Sequence, residues 1–212
     1  MRCDITSVIK MVRFGTDYFH HGAHGEAVRF DVRTVNSTKL QSQIVIMAGL
    51  PGTGKTALAN ALAKRLGGVV LSKDDVRAAL FPPGAITYSS GQNDFCMSVV
   101  LMAAQRIAAD HRVPFVFVDG RTFSRTHHVM QVARGAAMIG AGLRILHLHC
   151  PEALALQRIK QDKNTHLAKN RDPLLYFLVK SYFDPITLPK LDVDTSRPLE
   201  ECVERCVAYL KG

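Results

Sequence analysis

Eight consecutive residues, Gly49-Leu50-Pro51-Gly52-Thr53-Gly54-Lys55-Thr56, satisfy every fixed position of the pattern G-x-x-x-x-G-K-[ST]. The chemistry such an octet supports is the grip of a polyphosphate. Its glycines let backbone N–H groups turn inward around phosphate oxygens, Lys55 reaches the β- and γ-phosphates, and the Thr56 hydroxyl is a ligand for Mg²⁺. Ala57 follows in a helix-like run whose positive N-terminal end faces the same anion. Residues 49–57 are therefore the candidate contacts for a nucleoside triphosphate, with ATP and Mg²⁺ as the implied ligands. A GTPase is disfavoured, because no NKxD base-reading motif is present and Asp119-Gly120 lacks DxxG spacing.

Two further groups could act on the terminal phosphate. Ser72-Lys73-Asp74-Asp75-Val76-Arg77 places a carboxylate pair and an arginine at the opening of a helix. An aspartate there can accept the proton of an attacking hydroxyl, and Arg77, one turn after Asp74, can hold an anionic group on the acceptor. The same aspartates could simply cap the helix. Phe115-Val116-Phe117-Val118-Asp119 is an apolar run with a carboxylate at its C-terminal end. Asp119 suits either Mg²⁺ or the acceptor hydroxyl, and Arg121, Thr122 and Arg125 follow it as candidate walls of an acceptor pocket.

These groups converge only if the chain between them forms a particular scaffold. From residue 43 onward, strand-like and helix-like segments alternate, which predicts an α/β domain with a mainly parallel sheet of about five strands and helices on both faces. Strands are expected over 44–48, 69–72, 114–119, 144–149 and 190–193. Helices are expected over 55–66, 72–80, 92–109, 124–140, 151–161, 172–182 and 198–210. Gly67-Gly68, Gly140 and Gly142 supply stop signals, and Pro198 after Thr195-Ser196 a start signal. In such sheets ligands gather at the carboxyl ends of the strands, where the octet, Asp74 and Asp119 all fall. Residues 1–42 lack a strong period and are expected to form a separate extension, a hairpin or a loosely attached one. Its His20, His21 and His24 have metal-like spacing but no carboxylate or cysteine beside them.

The composition of this 212-residue chain, 47% hydrophobic and 21% charged, suits a soluble α/β domain with a buried core. No apolar stretch reaches the roughly 18 residues that span a bilayer, and a cytoplasmic location is expected. A net charge of +9 favours anionic partners, nucleotides as well as nucleic acids. Five scattered cysteines form no CxxC pair, and Cys202 and Cys206, one helical turn apart, are read as core residues of the last helix. His147 and His149 alternate on one strand face and are read as structural.

The combination GLPGTGKT, SKDDVR and an apolar strand ending in VDGRTFSR resembles the P-loop kinase group that includes adenylylsulfate kinase, chloramphenicol phosphotransferase and the kinase domain of polynucleotide kinase. The likeness spans about residues 43–210. It implies a three-layer P-loop NTPase fold and assigns Asp74 as general base and Arg77 as binder of the acceptor's phosphate, with Asp75 a cap or supporting group. Residues 156–183, with Arg158, Lys160, Lys163, Lys169 and Arg171, read as a basic helical lid whose cations would stabilise transition-state charge. Arg158 matches the first lid arginine of the group. Four residues on, Asp162 stands where a second arginine is usual, which leaves Lys163 or Arg171 to replace it. Residues 191–196 resemble the loop that contacts adenine.

The leading expectation is an ATP-dependent kinase acting on a hydroxyl of a small molecule or nucleotide, with Lys55, Asp74 and Arg158 catalytic and Arg77, Asp119 and Arg121 meeting the acceptor. A polynucleotide 5′-hydroxyl kinase is an alternative, against which stands the lack of an aromatic and basic track for stacking bases, with no tryptophan in the chain. An acceptor-independent ATPase, or an ATP-binding protein without turnover, is the other class. Length after the core is short for a hexameric AAA+ motor.

Overall fold

The computed structural model describes residues 41–162 and 172–212; residues 1–40 of the expected extension, with its histidines, and the expected lid positions Lys163, Lys169 and Arg171 lie outside them. Five strands, β1 (Gln43–Ala48), β2 (Val69–Ser72), β3 (Phe115–Asp119), β4 (Gly142–His149) and β5 (Leu191–Asp194), form one sheet in the order β2-β3-β1-β4-β5. Every pairing is parallel, so the expected sheet is present without an antiparallel member. Helices α1 (Lys55–Leu66), α2 (Lys73–Leu80), α3 (Ser90–Ala109), α4 (Thr126–Met138), α5 (Glu152–Asp162), α6 (Pro173–Ser181) and α7 (Leu199–Lys211) connect or follow the strands.

The period-two alternation of the central strands sorts the core into two layers. Ile44, Ile46, Val116, Val118 and Ile145 face Cys96, Val100 and Ala104 of α3 and Val129, Val132 and Ala136 of α4. Val45, Met47, Phe117, Leu146 and Leu148 face Leu58 and Leu62 of α1 and Val203, Cys206 and Leu210 of α7. Cys202 and Cys206 are thus packing residues, as their spacing suggested, and burial pushes the Cys206 thiol up to about 12. No described helix is long and apolar enough to cross a membrane.

Helix boundaries depart from the sequence reading where capping chemistry intervenes. The helix expected from residue 124 begins at Thr126, because Asp184, far along the chain, accepts a hydrogen bond from the Thr126 N–H at 3.0 Å and caps α4 from outside. Just before it, Phe123 is buried at a φ of 53°, a conformation that bulky residues adopt only under constraint. The helix expected from residue 92 starts at Ser90, since the Ser89 hydroxyl accepts from Gln92 N. The cap of α2 is Ser72, whose Oγ accepts from Asp74 N and Asp75 N at 3.2 and 3.4 Å. Neither aspartate has to serve as the cap, and the Asp74 carboxylate pairs with Arg77 instead.

Candidate active site

The octet spans the turn from β1 to α1 with its glycines in conformations that side chains resist. Gly49 has φ 138° and Gly52 φ 78°, and a Cβ on either would lie 2.3 Å from Leu148 O or 2.4 Å from Ala155 O. The loop therefore packs directly against the end of β4 and the backbone of α5. Lys55 is buried and folds back along the loop, its Nζ donating to Gly49 O at 2.9 Å and Leu50 O at 2.7 Å.

Asp119 ends β3 beside this loop because β1 and β3 are parallel neighbours. Its Oδ2 accepts from Thr56 Oγ1 at 2.7 Å. The other oxygen, Oδ1, is buried and has no hydrogen-bond partner among the described residues, and the residue is 1% exposed. A buried carboxylate oxygen left open next to a hydroxyl is a hard-oxygen donor set that fits Mg²⁺.

On the other side of β3, the register pairs Ser72 with Asp119, which brings the start of α2 to the same edge. Asp74 and Arg77 form a buried ion pair at 2.6 Å, with side chains 8% and 3% exposed. Arg77 also donates to Asn93 Oδ1 of α3 and lies 4.9 Å from the centre of the Tyr88 ring. Lys73 Nζ meets the same Asn93 oxygen at 3.0 Å. In this arrangement Arg77 neutralises Asp74 and is turned into the protein. Arg121 pairs with Asp94 of α3.

The loop between Asp119 and α4 is fixed at several points. Thr122 O accepts from Gly49 N at 3.0 Å, tying it to the phosphate loop, and Ser124 O accepts from Asp184 N at 2.8 Å. Arg125 bonds Asp184 at 3.5 Å and stacks over Tyr182, which follows α6. Arg158 reaches the phosphate loop from α5, its Nη1 lying 3.7 Å from where a Cβ on Gly54 would stand. Its partner is Thr195, at 3.2 Å to Oγ1 and 2.8 Å to the carbonyl. Ala155, Ile159 and Tyr176 pack together with Leu50, joining α5 and α6 to the loop, and Glu152 bonds Lys180 at 2.7 Å.

The structure thus brings Lys55, Thr56, Asp119, Asp74 and Arg158 to the C-terminal edge of the sheet. Arg77 and Arg121 are nearby but occupied by carboxylates. The sequence does not single out Asn93 as a site residue, whereas it offers Thr122 as a candidate wall of an acceptor pocket. Nothing local marks Asn93, and Thr195 enters the sequence reading only through the adenine-loop likeness and the helix start signal before Pro198. His147 bonds Asp192 through Nδ1 at 2.6 Å on the β4–β5 edge, a strand pair that satisfies it structurally.

His128 on α4 gives the region a pH signature. Burial, with Arg121 adjacent, holds its pKa down to about 4, and its buried Nδ1 has no hydrogen-bond partner among the described residues. The unfolded chain takes up that proton near 6.5, so between about 6.5 and 4 the unfolded state binds more protons and stability falls as pH falls. The thermal midpoint is expected to drop across that window. His128→Asn should flatten the drop, and an unchanged slope in melting curves of the variant would remove His128 from the account.

A five-stranded parallel sheet in this order, a glycine-cradled lysine and a strand-terminal aspartate bonded to the loop hydroxyl define the P-loop NTPase class, in its kinase-like form. Residues 44–172 match the AAA domain family, and the chain belongs to it. No curated protein matches. Among solved structures, 81% of the chain superposes on 99% of an APS kinase from Mycobacterium tuberculosis, solved with AMPPNP and APS, at 16% identity and a TM-score of 0.60. A gluconokinase from Sinorhizobium meliloti 1021 gives 81% and 93% coverage, 18% identity and a TM-score of 0.57. A sugar kinase from Janibacter sp. HTCC2649 gives 81% and 95%, 16% and 0.58. At these identities the likeness is one of fold.

Proposed function

We propose that the chain is an ATP-dependent phosphotransferase that moves the γ-phosphoryl group of ATP to a hydroxyl of a small molecule or nucleotide. The observation that carries this reading is the β2–β3 register, which pairs Ser72, two residues before Asp74, with Asp119 at the edge where the phosphate loop lies. A site for hydrolysis or switching needs the loop and Asp119. A second carboxylate, buried and held by an arginine, is what acceptor deprotonation adds.

In this reading the loop amides and Lys55 hold the β- and γ-phosphates. Thr56 and Asp119 would hold Mg²⁺, which when bound would neutralise charge on the phosphate oxygens. The acceptor hydroxyl approaches Asp74, whose carboxylate takes the proton as the oxygen attacks phosphorus and the bond to the β-phosphate oxygen breaks. Arg158 stabilises negative charge on the transferring group from the lid side. Arg77 stays with Asp74 and orients that carboxylate, while Arg121 is available to an anionic acceptor that displaces Asp94. The cations at this edge and the similarity of fold to kinases of small anionic and sugar substrates support an acceptor of metabolite size.

The test is ADP release from Mg·ATP measured with and without a panel of sugars, sugar phosphates, nucleosides, aminoglycoside-type alcohols and 5′-hydroxyl oligonucleotides. Acceptor-dependent release with a phosphorylated product is expected from the metabolite arm. Hydrolysis as the only activity would place the chain with the ATPases instead.

A further inference from the structure

Thr195, in the turn after β5, joins the phosphate loop, the end of β4 and α5. It is buried, and its backbone N–H donates to His149 O at 2.8 Å, fixing it to the end of β4. Its Oγ1 lies 3.1 Å from Thr53 O within the octet, 3.2 Å from His149 O and 3.2 Å from Arg158 Nη1. A hydroxyl has one proton and two lone pairs, so it donates to one of the carbonyls and accepts from the guanidinium. The Thr195 carbonyl accepts from Arg158 Nη2 at 2.8 Å. Both terminal nitrogens of the arginine are therefore held by one residue, a fork that lysine could not reproduce.

We infer that Thr195 is a positioning residue that holds the Arg158 guanidinium against the phosphate loop before nucleotide arrives. The inference rests on the nucleotide-binding reading of the loop given above. Three features support it. The partners that hold Arg158 are neutral oxygens, so the grip orients the cation without cancelling its charge. Gly54, whose Cβ position lies 3.7 Å from Nη1, is the N-cap of α1, so the cation sits where the helix end already favours an anion. The same hydroxyl also touches the loop through Thr53 O, so loop and arginine share one reference point on β5. An arginine on an outer helix is otherwise free to sample many rotamers, and confining it beforehand lowers the entropic cost of using it.

The test compares Mg·ATP affinity, by titration calorimetry on the full chain, with thermal midpoints. Thr195→Val keeps the side-chain shape and removes the hydroxyl. It is expected to weaken ATP binding roughly 10-fold, the scale of a hydrogen bond to a charged group. Thr195→Ser should restore affinity to within about 2-fold of wild type. Arg158→Ala should lose at least as much as the valine variant, and adding Thr195→Val to it should change affinity by less than about 2-fold, because one residue acts through the other. Additive losses, or a lower thermal midpoint with wild-type affinity in Thr195→Val, would overturn the inference. A wild-type chain that binds no ATP overturns the site reading and the inference together, whereas loss of binding confined to Lys55→Ala overturns the inference alone.

Discussion

Lys55→Ala is expected to lower ATP turnover by roughly 10²–10³-fold, the loss seen when one preorganised charge donor is taken from a reacting centre. The same substitution should weaken ATP binding measured directly. Lys55 is buried and its Nζ bonds Gly49 O and Leu50 O, so its removal takes away both the cation proposed to meet the phosphates and a tie within the loop. Lys55→Arg should not rescue, because the bulkier planar fork has to enter a space closed by those two carbonyls. Coupled-enzyme detection of ADP gives the rate. Full activity in the alanine variant would remove the phosphate loop from the reaction.

The second large effect concerns the proton. Asp74→Asn should leave ATP affinity within about 2-fold of wild type and lower acceptor phosphorylation by roughly 10²-fold or more, as the loss of a general base does. The substitution also deprives Arg77 of its counter-ion at 2.6 Å, and breaking a buried pair from one side costs on the order of 3–5 kcal/mol. Asparagine keeps a carbonyl oxygen for Arg77 and softens this loss, so the thermal midpoint should fall while the protein stays folded. Preserved ATP affinity shows that the site has survived. Acceptor phosphorylation at the wild-type rate would exclude Asp74 as the base.

Much of this architecture was legible in the residues. The alternation of Ile44, Val45, Ile46 and Met47 belongs to a strand buried on both faces, and the octet dictates the turn and helix after that strand. The spacing of Asp74 and Asp119 from their strands was readable too, because a parallel sheet delivers the ends of successive strands to one edge. Relations between distant segments were not readable. Asp184 as a cap for α4, Asn93 under Arg77 and Thr195 behind Arg158 each join residues whose separation carries no local pattern. Arg77 shows the limit most clearly, since its spacing from Asp74 suits a partner of that aspartate and a binder of the acceptor alike. Only the packing of α2 against α3 shows how the guanidinium is held, between Asp74 and Asn93 and over Tyr88.

The backbone bond from Gly49 N to Thr122 O has a consequence for how such a protein can diversify. Because the stretch after Asp119 is stitched to the phosphate loop and pinned by Phe123 in a left-handed conformation, insertions there would disturb the phosphate loop and the proposed acceptor side at once. The connection between α2 and α3, residues 81–89, contributes Tyr88 to the ring of groups around Arg77. Descendants of this chain that acquire new acceptors should accumulate their length changes in 81–89 and keep 119–125 at constant length, so that selectivity evolves on one wall of the site while the other is inherited unaltered.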